Sequence, residues 1–317
     1  MVKDAYKKLL EQQQYKLIGD HSAVKVCTWT KKSLRGQGVC YKEQFYGIRS
    51  HRCCQMSVTV NFCDMDCIYC WREHYNEPFS SIDDPKELVT KAVAAQRKLL
   101  SGFGGLEKTD QKKFREAQDP DQFAISLTGE TLYYPKLDEL IKELKKRKAS
   151  VFIVTNGMLP EVMEKMEPPT QLYVSLDSPD RALQEKLCKP LHKDCWERLL
   201  RSLDILKRLK SKTRTCLRIT AIKDMNMLDP AGYAELIKRA DPHFVEVKAY
   251  MFVGASTIKL DMANMPLHPE VKKFAEDIAK AAGYKVIDEQ KASRVVLLMK
   301  EDCQEPRFLT PERSEAE

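Results

Sequence analysis

The stretch "NFCDMDCIYCWR", residues 61–72, decides how the rest of the chain is read. It holds Cys63, Cys67 and Cys70, with three residues and then two between them. A cubane iron–sulfur cluster normally takes four thiolates, and a structural zinc takes four ligands. Three thiolates leave one corner open. An iron with an open position can bind and activate a small molecule, by the logic that separates catalytic from structural zinc sites. A closed zinc or ferredoxin-type site would need a fourth ligand at short spacing, for which Cys54 and His74 are the candidates.

Upstream lies a second set of three. Cys27, Cys40 and Cys53 are spaced by thirteen and thirteen, with ten more to Cys63. The chain has 11 cysteines, an odd number, and seven fall between Cys27 and Cys70. In a reducing compartment such clustering favours metal ligation over disulfides. Any one of the three alone would read as structural. Together, beside an open loop, they point to an auxiliary cluster that is also one ligand short. Cys53 and Cys54 are adjacent and only one can be the third ligand; the spacing points to Cys53. Cys188, Cys195, Cys216 and Cys303 are scattered and read as small buried residues.

The 317 residues, 43% hydrophobic and 31% charged, describe a globular chain able to bury a large core. No apolar run approaches a membrane span, and "MVKDAYKKLLEQQQYK" is a polar amphipathic helix rather than a signal peptide. A cytoplasmic protein without a membrane partner is expected. Strand and helix signals alternate. Strands are expected at 56–62, with Met56, Val58, Val60 and Phe62 on one face, and at 122–127, 150–155, 171–176, 215–222 and 244–250. Helices fall between them, the first marked by an Asp cap, Pro85 at its first turn and Gly102 at its stop. The last helix, near 269–282, precedes "YKVID" and "RVVLLMK". This alternation implies a parallel sheet, and six units suffice for an open partial barrel. "GGLEKTDQKKFREAQDPD" (104–121) is a hydrophilic insertion, and "PERSEAE" reads as a frayed tail.

Each strand leads into a polar or Gly-containing group: the three cysteines, "TGE" (128–130), "NGM" (156–158), "DSP" (177–179), "KDMN" (223–226) and "MFVGAS" (251–256). In parallel α/β folds the carboxyl ends of the strands share one face, and sites form there. Such residues also serve as ordinary turn formers, which for "DSP" alone is the simpler reading.

The C-x3-C-x2-C spacing, with Tyr69 before the last cysteine, resembles the signature of the radical S-adenosylmethionine (SAM) enzymes. The resemblance implies an α/β fold, a partial (β/α)6 TIM-like barrel over residues 56–300, with a cysteine-rich extension at 1–55 and a tail at 301–317. It implies that SAM chelates the open iron and that one electron cleaves it to a 5′-deoxyadenosyl radical, which abstracts a hydrogen atom. "TGE" matches the family's Gly-Gly-Glu position, with Thr128 a departure from it. Tyr69, Thr128, Gly129, Glu130, Asn156, Ser175 and Asp177 are the SAM-contacting residues so implied.

The upstream stretch "KVCTWTKKSLRGQGVCYKEQFYGIRSHRCCQMS" together with "CDMDCIYCWR" resembles the wyosine-forming branch, the 4-demethylwyosine synthases in their single-domain archaeal form. That family implies two 4Fe-4S clusters, one on Cys63, Cys67 and Cys70 and one on Cys27, Cys40 and Cys53. It implies N1-methylguanosine-37 of tRNA-Phe and pyruvate as substrates. The radical formed on the N1-methyl group adds to the pyruvate carbonyl carbon, the pyruvate C1–C2 bond breaks, and the exocyclic amine closes a third ring. Lys42 matches the lysine that would hold pyruvate as an imine; by itself it reads as a solvated surface lysine. The length leaves no room for the flavodoxin-like domain of larger relatives, so an external flavodoxin or ferredoxin is expected as electron donor, and nothing suggests more than a monomer. Other readings keep radical SAM chemistry on another RNA or a peptide, or make the metal structural in an RNA-binding protein.

The net charge is +7, which fits a polyanionic partner without requiring one. Lys31, Lys32, Arg35, Lys42, Arg49, Arg52 and Arg72 interleave with Trp29, Tyr41, Phe45, Tyr46 and Trp71. Cations for phosphates and rings for an unstacked base suit a single-stranded RNA loop.

Overall fold

The computed structural model describes residues 4–73, 76 and 79–309. The chain divides into two compact units, Met1–Phe62, Tyr75–Ile153 and Phe308–Glu317 in one, Cys63–His74 and Val154–Arg307 in the other. His74 and the "PERSEAE" tail lie outside the described residues.

In the first unit the order is α1 (Asp4–Gln12), β1 (Lys16–Leu17), β2 (Ala23–Val24), α2 (Thr28–Leu34), α3 (Tyr41–Tyr46), β3 (Cys53–Ser57), α4 (Pro85–Leu100), α5 (Gln111–Glu116), β4 (Gln122–Ile125), α6 (Leu137–Lys146) and β5 (Ser150–Thr155). Strands β3, β4 and β5 are parallel, and β1 and β2 extend the β3 edge antiparallel. Helix α4 starts where Asp84 accepts the Lys86 and Glu87 N–H groups, just before Pro85. That is the arrangement that satisfies a helix's first donors. Leu88 and Ala92 of α4, and Leu140, Ile141 and Leu144 of α6, are buried together with Phe123, Ile125 and Val151 of the strands. Each such large side chain contributes about 1.5–3 kcal/mol.

The second unit runs α7 (Pro160–Lys165), β6 (Gln171–Ser175), α8 (Arg181–Cys188), α9 (Cys195–Leu209), β7 (Arg214–Ala221), α10 (Pro230–Ala240), β8 (Phe244–Ala249), α11 (His268–Ala282), β9 (Lys285–Gln290) and β10 (Val295–Met299). Its strand order is β6-β7-β8-β10-β9. The first three strands are parallel and the last two antiparallel. Leu172, Val174, Leu217, Ile219, Val245 and Val247 are fully buried. Among the described residues no helix is long and apolar enough to cross a membrane.

The first expected strand is displaced. It spans Cys53–Ser57 rather than 56–62. Beyond Ser57 the backbone leaves the ladder: the Val60 N–H bonds to the His21 carbonyl at 3.0 Å, and the Phe62 carbonyl accepts the Glu130 N–H at 2.9 Å. Val58 and Val60 are still fully buried. Thr59 and Asn61, between and after them, are buried as well, so the apolar alternation does not mark one face of a strand. The boundary at 55/56 therefore falls inside β3. The hydrophilic insertion contains helix α5, capped by Asp110.

His243, just before β8, carries a pH dependence. Its Nδ1 accepts the Thr215 N–H at 3.1 Å, and burial pushes its pKa down from 6.5 to about 4. The unfolded chain takes up this proton first, so the contribution is full above pH 6.5 and is lost as the pH falls from there to about 4. The urea midpoint should drop between about pH 7.5 and pH 5, and His243→Gln should drop less. Equal drops would rule this group out as a source of the slope.

Candidate functional site

Two groups of residues stand out, one in each unit. In the first unit Cys27 immediately precedes α2 and Cys40 immediately precedes α3, with nearly the same backbone angles (φ −63°, ψ 145° and φ −64°, ψ 145°). Neither side chain bonds to its own helix. Cys53 opens β3. Because successive strand residues face opposite sides, Cys53 and Cys54 part company. Cys54 is fully buried, and burial pushes its thiol up to about 12. Cys53 is half-buried. Burial pushes its thiol well up, the Cys27 and Cys40 thiols push it further, and the Lys42 ammonium pulls it down. These four residues are therefore neighbours. Thiols that oppose one another's ionisation form a donor set whose charge a bound cation offsets.

Lys42 is not the solvated surface lysine its sequence position suggests. It lies in α3 and is 8% exposed, with Nζ 4.7 Å from the centre of the Phe152 ring. Cys40 N–H donates to Ser50 Oγ at 2.8 Å, and Ser50 N–H to Glu43 Oε2 at 2.7 Å. This ties the start of α3 to the turn that leads into Cys53.

The "TGE" group follows β4. Gly129 has φ +73°, and a Cβ there would lie 1.7 Å from the Thr59 carbonyl oxygen and 2.7 Å from that of Phe62. Glu130 accepts the Leu132 N–H at 3.1 Å. Thr128 Oγ1 is buried with no hydrogen-bond partner, an orphan that a polar ligand would satisfy.

In the second unit the cysteine loop is pinned to the end of α8. Asp66 N–H reaches the Lys189 carbonyl at 3.3 Å, Ile68 N–H the Leu187 carbonyl at 2.9 Å, and Leu191 N–H the Asp64 carbonyl at 2.9 Å. Cys70 N–H bonds to the Cys67 carbonyl at 3.0 Å. The Cys188 thiol, then burial, pushes the Cys67 thiol well up. Burial pushes the Cys70 thiol up to about 11, with Cys67 next in effect. Asn156 Nδ2 stands 4.0 Å from Cys63 Sγ. Among the described residues no three Cys, His, Asp or Glu side chains close on one point as they would around a single ion. A cubane spreads its thiolates over separate corners and would not show as such a point.

Tyr69 and Asp177 are engaged with each other: the phenol donates to Asp177 Oδ2 at 2.6 Å, and Asp177 Oδ1 accepts the Thr220 N–H at 2.7 Å. Burial raises the Asp177 pKa, and the Tyr69 and Thr220 bonds lower it. Ser175 ends β6 opposite Arg218 of β7, which lies opposite Glu246 of β8. Tyr69→Phe removes the shorter of those two bonds from a buried carboxylate. A loss of about 1–3 kcal/mol is expected, read as a lower urea midpoint; an unchanged midpoint would show the bond to be dispensable.

Several expectations are corrected. Tyr41, Phe45 and Tyr46 are buried and cannot stack on RNA. Arg52 is 9% exposed and donates to the Asp119 carbonyl at 2.7 and 3.0 Å, and Arg49 is paired with Asp121. Arg72 is buried, its guanidinium 3.0 Å from the centre of the Trp71 ring. Lys32 lies over the Trp29 ring at 4.6 Å, and Lys31, Lys32, Arg35, Trp29 and Trp71 keep accessible surface. Cys188, Cys195 and Cys216 are buried, but Cys303 is exposed, in the segment after β10. Cys188 is more than packing, because its thiol lies 3.4 Å from the Tyr69 hydroxyl. Asp64 and His192 were not singled out from the sequence. Asp64 lies inside the cysteine motif, which was the available signal, whereas His192 is 128 residues away.

Two family profiles match the chain. The profile of the Radical SAM superfamily matches residues 57–237, and that of Wyosine base formation matches residues 239–300. The S-adenosyl-L-methionine-dependent tRNA 4-demethylwyosine synthase of Pyrococcus horikoshii is 46% identical over 303 residues, 93% of this chain and 88% of that protein. The chain belongs to this family of radical SAM enzymes. The 4-demethylwyosine synthase of Methanocaldococcus jannaschii is 42% identical, over 95% of this chain and 98% of that one. A solved structure described as "Structure of TYW1 with a lysine-pyruvate adduct bound" superposes with a TM-score of 0.87 at 39% identity, covering 98% of this chain and 99% of the other. "Crystal structure of archaeal TYW1" gives a TM-score of 0.81 at 37% identity, covering 98% and 100%. The fold is thus the partial (β/α)6 barrel of the radical SAM type. Family membership brings SAM and a 4Fe-4S cluster as cofactors.

Proposed function

We propose that this chain condenses N1-methylguanosine-37 of tRNA-Phe with pyruvate to form the tricyclic base 4-demethylwyosine. The observation that carries this reading is Lys42, a buried lysine beside Cys27, Cys40 and Cys53, in a chain that also has the open three-cysteine loop. Lys42 forms the imine with pyruvate: its Nζ adds to the ketone carbon and water leaves. The solved relative described with a lysine-pyruvate adduct supports that chemistry.

Cys63, Cys67 and Cys70 hold one 4Fe-4S cluster, and Cys27, Cys40 and Cys53, in the extension over residues 1–55, hold a second. The first cluster, when bound, supplies the electron that cleaves SAM to the radical that takes a hydrogen from the N1-methyl group. Around SAM the chain binds and orients. The "TGE" group, with the bare Gly129 backbone and the orphaned Thr128 hydroxyl, takes its polar end. Tyr69 and Asp177 hold the loop. The accessible cations Lys31, Lys32 and Arg35 meet RNA phosphates while Trp29 stacks on an unpaired base. The electron comes from a separate flavodoxin or ferredoxin, and the chain acts as a monomer in the cytoplasm.

Anaerobic reconstitution tests this. Two four-iron clusters per chain are expected, and reductant, SAM, pyruvate and tRNA bearing the methylated guanosine should yield 5′-deoxyadenosine and the tricyclic base. Iron for one cluster only would sink the two-cluster arrangement. Cys63→Ala should abolish 5′-deoxyadenosine. Cys27→Ala should keep some of it but make no tricycle; a tricycle from that variant would remove the auxiliary cluster from the reaction.

A further inference from the structure

Asp64 follows Cys63 and is 1% exposed. Its Oδ1 accepts from Asn156 Nδ2 at 2.6 Å, and its Oδ2 lies 3.0 Å from His192 Nε2. Its backbone carbonyl is held by Leu191 N–H at 2.9 Å. The orientation of the Asn156 carboxamide is fixed from the other end, because Asn156 Oδ1 accepts the Met158 N–H at 3.0 Å. The amino group must therefore face Asp64. It carries two protons, of which Asp64 takes one, and Cys63 Sγ stands 4.0 Å from the same nitrogen. The turn beneath is rigid: Gly157 has φ +78°, and its N–H bonds to Thr155 Oγ1 at 3.1 Å.

Donors aimed at a cluster's sulfur atoms, and charges near it, are main determinants of its reduction potential. An N–H directed at a thiolate favours the added electron. A nearby carboxylate disfavours it. Here the two are joined in one contact, and a ring nitrogen on the far oxygen spreads the carboxylate's charge.

We propose that Asp64 and Asn156 are positioning residues that set the reduction potential of the cluster on Cys63, Cys67 and Cys70. Asp64 holds the Asn156 amide toward the Cys63 sulfur, and His192 offsets the charge of Asp64. This rests on the reading that those three cysteines carry the SAM cluster.

The test is a reductive titration of the reconstituted protein followed by electron paramagnetic resonance. It reads only the signal component that changes when SAM is added, which separates this cluster from the other. Asn156→Ala loses the donor and should move the midpoint to more negative potential. Asp64→Asn keeps the shape and the contact but removes the charge, and should move it to more positive potential. Iron per chain is measured in each. Opposite shifts at wild-type iron content support the proposal. Unchanged midpoints in both variants, or shifts of the same sign, overturn it. Should Asn156→Ala lose its cluster, the isosteric Asp64→Asn variant decides alone by the presence or absence of its positive shift. A wild-type protein with no SAM-sensitive signal would instead sink the cluster assignment.

Discussion

Gly129→Ala is expected to be the most damaging single methyl group in the first unit. Two costs combine. At φ +73° an alanine carries the left-handed penalty of about 1–2 kcal/mol. Its Cβ would also stand 1.7 Å from the Thr59 carbonyl oxygen, and no rotamer change relieves a clash with backbone. The loop after β3 and the turn after β4 must separate, which breaks the Glu130–Phe62 backbone bond. A loss above about 4 kcal/mol is a large part of the roughly 5–15 kcal/mol that holds a typical domain together. Soluble yield, urea midpoint and SAM cleavage should fall together. Gly36→Ala is the control: φ is +66° there, but nothing lies within 4 Å of the new Cβ. It should lose only about 1–2 kcal/mol. Similar midpoints for the two variants would refute the close approach at Gly129.

The second large effect concerns Lys42. Lys42→Arg keeps a cation beside Cys53 and above Phe152, but a guanidinium does not form the imine. Formation of the tricyclic base should fall by about 1,000-fold or more, as expected when a covalent nucleophile is lost. Production of 5′-deoxyadenosine should persist. Borohydride with pyruvate should add mass to the wild-type chain at Lys42 and none to the variant. A variant that still makes the tricycle at a rate near wild type would exclude the imine and leave pyruvate to another group.

The elements readable in the sequence were those with complete local signals. Helix α4 has Asp84, Pro85 and an apolar stripe, and α10 and α11 have Pro at their starts. The cysteine spacing and the strand-end groups were equally plain. What stayed hidden depends on partners far away in the chain. Arg49 and Arg52 looked available to phosphate, but Asp119 and Asp121, about 70 residues on, engage them. Tyr41 and Phe45 lie one turn apart on α3, and with Tyr46 they are buried in the core. Helices α2 and α3, at seven and six residues, are too short to announce themselves by periodicity. Lys42 could not be known to be buried until the turn that carries Cys53 was seen beside it.

Cysteine at the start of α2 and α3 has a thermodynamic meaning beyond ligation. Ser, Thr, Asp or Asn in that position commonly adds about 1 kcal/mol by accepting the helix's exposed N–H groups. Cys27 and Cys40 make no such bond, so both helices begin without that support. A group bound across the two thiols and Cys53 would anchor both helix starts and the start of β3 at once. With such a group bound, maturation and local folding would be one equilibrium, and stripping it would loosen residues 27–53 ahead of the rest, leaving the incompletely loaded chain recognisable to a protease.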